Sequence, residues 1–173
     1  MKTALITGAT SGIGRATARY FAKNHFRLII CGRREDRLAE LQDEFSTLTK
    51  VHTLNFDVRD RKAVSKSIKS LPAEFANIDI LVNNAGNAHG LDPIENGDVD
   101  DWDAMIDINV KGLLYVSRAV IPGMVQRRSG HIINIGSIAG KETYTNGNVY
   151  CATKHAVDAL NHGMRMDLNQ YGI

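Results

Sequence analysis

Short runs of β-branched and aliphatic residues alternate along this chain with longer stretches whose apolar positions recur every three to four residues. Residues 4–7, 28–31, 78–82 and 132–135 are mostly apolar and 51–56 carries Val51, Leu54 and Phe56 among polar residues, which together predict five strands of a sheet buried on both faces. Between them the spacing predicts helices. One covers residues 13–24, with Ile13, Ala16, Tyr20 and Phe21 as its apolar face. A second covers 36–45, anchored by Leu38, Leu41 and Phe45. Asp60 is a candidate N-cap for a third, which stops before Pro72. Asp98 or Asp100 is placed to cap one long helix that carries Trp102, Met105, Ile106, Val110, Leu113 and Leu114 and ends near 122–128. After a loop over 136–147, a last helix spans about 149–170.

Apolar strands separated by helices require a parallel sheet covered on both faces, and right-handed crossovers make it a doubly wound α/β fold. No repeat, low-complexity segment or linker divides the chain, so residues 1–173 are expected to form a single domain. The alternation stops on a helix, just before Tyr171-Gly172-Ile173, and a further strand is expected after it. The expectation is therefore a chain incomplete at its C-terminus. If these residues were the whole protein, the fifth strand would be an exposed edge.

Composition narrows the function classes. Hydrophobic residues make up 43% and charged residues 23%, as in soluble globular proteins. The formal net charge is +2, and Arg33-Arg34 and Arg127-Arg128 are pairs without a basic stripe, so nucleic-acid binding has no electrostatic footprint. No apolar run approaches the roughly 18 residues of a membrane span, and Met1-Lys2 leads directly into the first strand without a signal-peptide core. Cys31 and Cys151 form no CxxC pair and suit free thiols in a reducing cytoplasm. The histidines lack metal-ligand spacing, so no metal is expected.

The first strand runs into Thr7-Gly8-Ala9-Thr10-Ser11-Gly12-Ile13-Gly14 and then a helix, the context a dinucleotide site needs. Gly8 permits a tight turn. Gly12 lets the backbone approach a pyrophosphate held at the helix N-terminus, and Gly14 lets helix pack on strand. The spacing is G-x-x-x-G-x-G, and a glycine-rich corner without a ligand is the plainer reading. Where such folds carry an acidic residue for the ribose hydroxyls, after the second strand, this chain has Arg33 and Arg34. Two guanidiniums suit a 2′-phosphate and favour NADP(H) over NAD(H), although two solvated arginines are the alternative.

Further strings follow in order: Asn83-Asn84-Ala85-Gly86 after the fourth strand, Asn109 in the long helix, Ser137 after the fifth strand, and Tyr150-Cys-Ala-Thr-Lys154 opening the last helix. Taken with the glycine turn, this order resembles the short-chain dehydrogenase/reductase family over the whole chain. Gly32-Arg33-Arg34-Glu-Asp-Arg37-Leu38, Leu71-Pro-Ala-Glu-Phe75, residues 77–86, 130–137 and 147–150 are similar to its bacterial NADP-dependent 3-hydroxy acid (serine 3-) dehydrogenase group. The resemblance implies a Rossmann fold with sixth and seventh strands that this chain lacks. It also implies a small-molecule substrate, a 3-hydroxy acid such as L-serine, and a homodimer or homotetramer.

By the same resemblance Tyr150 is the general acid/base and Ser137 holds the substrate oxygen. Lys154 holds the nicotinamide ribose, and Asn109 holds a water that relays protons to it. Asp57 meets the adenine amino group beside Val58, and Asn84, Ala85 and Gly86 line the adenosine side. The energetics are of the right size. Bringing a free tyrosine from near 10 into the neutral range takes about 4 kcal/mol. A cation one helical turn away, near 4 Å, supplies on the order of 4 kcal/mol at an effective dielectric of about 20. Singly, each residue has a structural alternative: Asn109 as a partner for buried backbone, Ser137 as a turn residue, Asp57 as a helix cap. His89, Cys31 and Cys151 read as structural, and Arg165 is a weak candidate for a substrate carboxylate. Two rivals remain at this level. A non-catalytic NADP-binding regulator would not need the Tyr/Lys/Ser set. A nucleotide-sugar epimerase would need another glycine motif and a larger substrate domain.

Overall fold

The five apolar runs assemble into one parallel sheet. In the computed structural model, which describes residues 1–173, the strands are β1 (Thr3–Thr7), β2 (Arg27–Gly32), β3 (Val51–Asn55), β4 (Ile80–Asn83) and β5 (His131–Asn134). Their order is β3-β2-β1-β4-β5, so β3 and β5 form the edges. Ile6 of β1 lies opposite Ile30 on one side and Val82 on the other. Helices α1 (Gly12–Lys23), α2 (Glu35–Ser46), α3 (Arg61–Lys69), α4 (Val99–Ile106), α5 (Leu113–Arg127) and α6 (Asn148–Leu168) complete the doubly wound architecture.

The period-2 alternation of the strands builds two cores, one on each face. Ala4, Ile6, Leu28 and Ile30 pack with Ala18 and Ala22 of α1 and with Leu38, Leu41 and Phe45 of α2. Leu5, Ile29, Cys31 and Leu81 face the other way, onto Val64 of α3 and Val116, Val120 and Met124 of α5. Full burial of such side chains is worth about 1.5–3 kcal/mol each. The caps fall on acidic residues: the Asp60 carboxylate accepts from the N–H groups of Lys62 and Ala63, and Asp98 accepts from that of Asp100.

Two expectations are corrected. The face of α1 that meets the sheet is Gly14, Ala18 and Ala22; Ile13, Ala16 and Tyr20 are exposed, and Phe21 is half-buried against Phe26. Small residues at intervals of four let the helix axis approach the strands, so the largest apolar residues turn outward. The long helix is also not continuous. A π-helical turn over Asp107–Gly112 separates α4 from α5. Such a turn adds a residue to the helical period and shifts the face that follows. Leu113 and Val116 are buried, whereas Leu114 is 37% exposed. No helix is long and apolar enough to cross a membrane.

Candidate functional site

The strand order reverses between β1 and β4, and in a doubly wound sheet the crevice outside the strand ends at that point is the natural ligand site. A cleft of about 790 Å³ lies there. It is lined by the turn after β1, the ends of β2 and β3, the segments after β4 and β5, and the first turns of α6. Four inter-strand steps of about 4.8 Å carry it roughly 19 Å across the sheet.

At its centre lies the glycine turn. Gly8, Thr10, Ser11, Gly12 and Ile13 line the cleft. Gly12 has φ +53°, and no atom lies within 4 Å of where a Cβ would stand, so its backbone faces open space at the start of α1. Gly14 lies behind the turn and outside the cleft, where a Cβ would run into the Gly8 carbonyl and the Asn84 amide. That amide has its own task. Asn84 Nδ2 donates to the carbonyls of Thr7 and Gly8 at 2.9 and 3.1 Å, while Thr7 Oγ1 accepts from the N–H groups of Asn84 and Ala85 at 3.0 Å each. The segment after β4 is thus fastened to the glycine turn, and Asn84, Ala85 and Gly86 form one wall. Thr7 was not among the expected residues. A threonine that ends a strand beside a glycine turn is the only signal it gave.

Toward β2 and β3 the cleft is charged and open. Arg33 and Arg34 are exposed. Arg34 Nη2 donates to Thr10 Oγ1 at 2.7 Å, and Arg33 Nη1 lies 3.6 Å from Asp57 Oδ2. Asp57 is bound more closely by Arg59, whose side chain reaches both carboxylate oxygens at 2.8–3.1 Å and whose N–H adds a bond of 3.0 Å. Burial pushes the Asp57 carboxyl up, but Arg59, with a smaller contribution from Arg33, holds it below the usual carboxylate range. Asp57 caps no helix, since Asp60 does so. Val58 is buried in the wall beside it. Arg59 was missed; its spacing of two from Asp57 carries no recognisable motif.

Toward β5 the cleft is lined by half-buried and buried groups. Tyr150 stands in the first turn of α6 and Lys154 one turn on. The Lys154 ammonium donates to the Ile135 carbonyl at 2.9 Å and lies 5.9 Å from the centre of the Tyr150 ring. The residue is 8% exposed; burial pushes its pKa down, with no acidic group offsetting that. Ser137 Oγ accepts from the Ala139 N–H and opens a short 3₁₀ turn at Ile138–Gly140. A Cβ on Gly140 would stand 2.7 Å from the Lys154 carbonyl, so this turn packs directly on α6 and brings Ser137 to the Tyr150 side. Asn109 does not line the cleft. From the π-helical turn its Oδ1 accepts from the Asn87 N–H, and its Nδ2 donates to the Asn87 carbonyl and to Thr153 Oγ1, at 2.9, 2.9 and 3.1 Å. Thr153 Oγ1 in turn donates to the Tyr150 carbonyl. The cleft wall also includes Asn87 and Ala88, to which no motif of the sequence points. Cys31 and Cys151 are buried, and burial pushes the Cys31 thiol up. His89 and Arg165 lie outside the cleft.

Comparison with known proteins follows the same outline. A family model described as short chain dehydrogenase matches residues 2–173. The NADP-dependent 3-hydroxy acid dehydrogenase YdfG of Escherichia coli strain K12 is 50% identical over 165 residues, which is 95% of this chain and 66% of that protein. Sulfoacetaldehyde reductase 2 of Chromohalobacter salexigens is 47% identical over 170 residues, covering 98% and 68%. The closed form of a serine dehydrogenase complexed with NADP⁺ superposes with a TM-score of 0.91 at 51% identity, covering 96% of this chain and 66% of that one. The chain thus spans about two thirds of the length of these relatives.

Proposed function

The chain belongs to the short-chain dehydrogenase family, and from that premise we propose that it is an NADP-dependent oxidoreductase acting on a CH–OH or carbonyl carbon of a small substrate, a 3-hydroxy acid such as L-serine. The observation that carries the reading is one cleft with two chemically different ends: exposed guanidiniums at β2, and Tyr150, Lys154 and Ser137 converging at β5. The residues fit the cofactor. Gly12 offers open backbone at a helix N-terminus to a pyrophosphate. Arg33 and Arg34 offer charged, planar donors to a 2′-phosphate. The 790 Å³ volume is within the range of cofactor sites.

NADP(H), when bound, supplies or accepts the hydride. Ser137 Oγ positions the substrate oxygen, and the Tyr150 hydroxyl gives it a proton in reduction and takes one in oxidation. The Lys154 ammonium, held by Ile135, sets a positive charge 5.9 Å from the centre of the Tyr150 ring. It keeps two N–H donors for the nicotinamide ribose. Asn109 commits both amide hydrogens to Asn87 and Thr153, so a relay water beside it would donate to Oδ1. Asp57 is engaged by Arg59, so adenine recognition there would use its remaining acceptor capacity, with Asn84, Ala85 and Gly86 on the facing wall. In the cell we place the protein in the cytoplasm, as a homodimer or homotetramer.

The name of the Chromohalobacter relative favours a second reading, reduction of another small carbonyl compound. One assay separates them. The absorbance of reduced nicotinamide is followed with NADP⁺ and NAD⁺ against L-serine and other 3-hydroxy acids, and with NADPH against small aldehydes. Turnover of a 3-hydroxy acid with NADP⁺, lowered about 10²- to 10⁴-fold in Tyr150→Phe, is the expected result. Turnover only of aldehydes selects the second reading. NADPH binding with turnover of neither class leaves a cofactor-binding protein and overturns both.

A further inference from the structure

We infer that the side chain of Asn87 is a cofactor-positioning group, its amide hydrogen-bonding a ribose hydroxyl on the nicotinamide side of bound NADP(H); this rests on the NADP reading above. Both polar atoms of the Asn87 side chain are closed off from solvent and have no hydrogen-bond partner. Other buried side-chain atoms lack partners too, but they lie outside the cleft, on Thr3, Arg15, Arg27 and Asn83. Among these, Asn83, Arg15 and Arg27 still engage neighbours through their other nitrogens. The Thr3 hydroxyl is likewise without a partner but lies in β1, away from the cleft; Asn87 is the residue of the cleft wall whose whole polar group is unsatisfied.

Its backbone is fixed. The Asn109 amide grips both the N–H and the carbonyl of Asn87, so the side chain hangs from a rigid point. That point adjoins Gly86, where a Cβ would stand 3.8 Å from Lys154 Nζ, the group expected to hold the nicotinamide ribose. An amide presents an acceptor and two donors, and a hydroxyl, which both gives and accepts, can pair with either end of it. Leaving a buried amide unpaired destabilises the fold, and a residue that only completed the wall would serve as well with an apolar side chain. The ligand-free chain therefore carries a cost that a bound ribose relieves when the Asn87 side chain turns on its fixed backbone toward the cleft it lines.

The test measures binding and stability without turnover. NADPH and adenosine 2′,5′-bisphosphate, which lacks the nicotinamide half, are titrated calorimetrically into the wild type and Asn87→Leu. The expected result is NADPH binding weakened about tenfold in the variant, bisphosphate binding unchanged, and a ligand-free Tm raised by about 2–4 °C. Equal weakening of both ligands would overturn the inference, because it marks a distorted cleft; so would unchanged NADPH affinity or a lowered Tm. Asn87→Ala, which cannot crowd the wall, must reproduce the selective loss of NADPH affinity. A wild type that binds neither ligand would overturn the NADP reading and this one with it, whereas intact binding that both variants leave untouched overturns only the role of Asn87.

Discussion

The two ends of the cleft solve the problem of holding polar groups in opposite ways. At the β2–β3 end the charges are numerous, exposed and paired: Arg34 with Thr10, Arg33 and Arg59 with Asp57. At the β5 end one cation, Lys154, is buried without an acidic partner and rests on a single carbonyl. Exposed pairs contribute little to stability and can be exchanged for a ligand's charges at small cost. A buried lone cation costs the fold free energy, and its retention makes sense only where its charge is used. On the proposed function the first end serves affinity and the second chemistry, and the two should respond to mutation differently.

The largest effect is expected at Lys154. Lys154→Met should lower turnover about a hundredfold or more while leaving the Tm unchanged or higher, since a desolvated charge is replaced by an apolar side chain of similar length. The pH dependence gives the sign. Burial depresses the folded pKa of Lys154 below its ordinary 10.5, so the folded protein gives up that proton before the unfolded chain does. Wild-type stability should therefore rise relative to Lys154→Met as pH climbs from the depressed value to about 10.5, with the penalty fully present below that window. Urea denaturation of both proteins across this range measures it; a difference that stays flat or falls would show that the charge is not buried at a cost.

Next comes the charged end. Replacing Arg33 and Arg34 together by Ser should weaken NADP⁺ binding about a hundredfold. NAD⁺ affinity and Tm should hardly move, because both side chains are exposed. Equal losses for the two nucleotides would mean that the arginines shape the cleft and do not read a 2′-phosphate.

Much of this was legible in the chain because its signals were local. Short, mostly apolar runs marked the strands, and a Tyr/Lys pair four residues apart on one helix needs no tertiary information to share a face. What stayed hidden depended on packing. The α1 face was assigned by residue size, yet the sheet selected Gly14, Ala18 and Ala22 because closeness mattered more than bulk. The π-helical turn breaks the period on which helix prediction relies, so Asn109 read as a mid-helix polar residue; its bonds to Asn87 and Thr153 appear only when three segments meet. Thr7 and Arg59 act through backbone and through a neighbouring carboxylate, roles that no residue spacing announces.

A smaller effect is expected where Asn109 joins these segments. Asn109→Ala leaves the N–H and carbonyl of Asn87 without their side-chain partners, which should cost about 1–3 kcal/mol of stability by denaturant titration. It should also loosen the reaction end while adenosine 2′,5′-bisphosphate still binds. Loss of bisphosphate binding would mean that the two ends are not mechanically separate.

The smallest effect should come from Asp57→Asn, and it tests the contrast from the soft side. The Asp57 carboxyl, raised by burial but lowered further by Arg59, ends below its ordinary value of 3.8. Its stabilisation is thus present above that value and lost as pH falls through the depressed one. The variant should lose about 0.2–1 kcal/mol near neutral pH, and the gap to wild type should close under acid. Freed of the carboxylate charge, Arg33 has one competitor fewer for a phosphate, while the amide oxygen can still accept from the adenine amino group, so NADP⁺ affinity should hold or rise slightly. A loss as large as that of Asn109→Ala would place a structural keystone at the charged end, and the division between an end built for affinity and an end built for chemistry would fail.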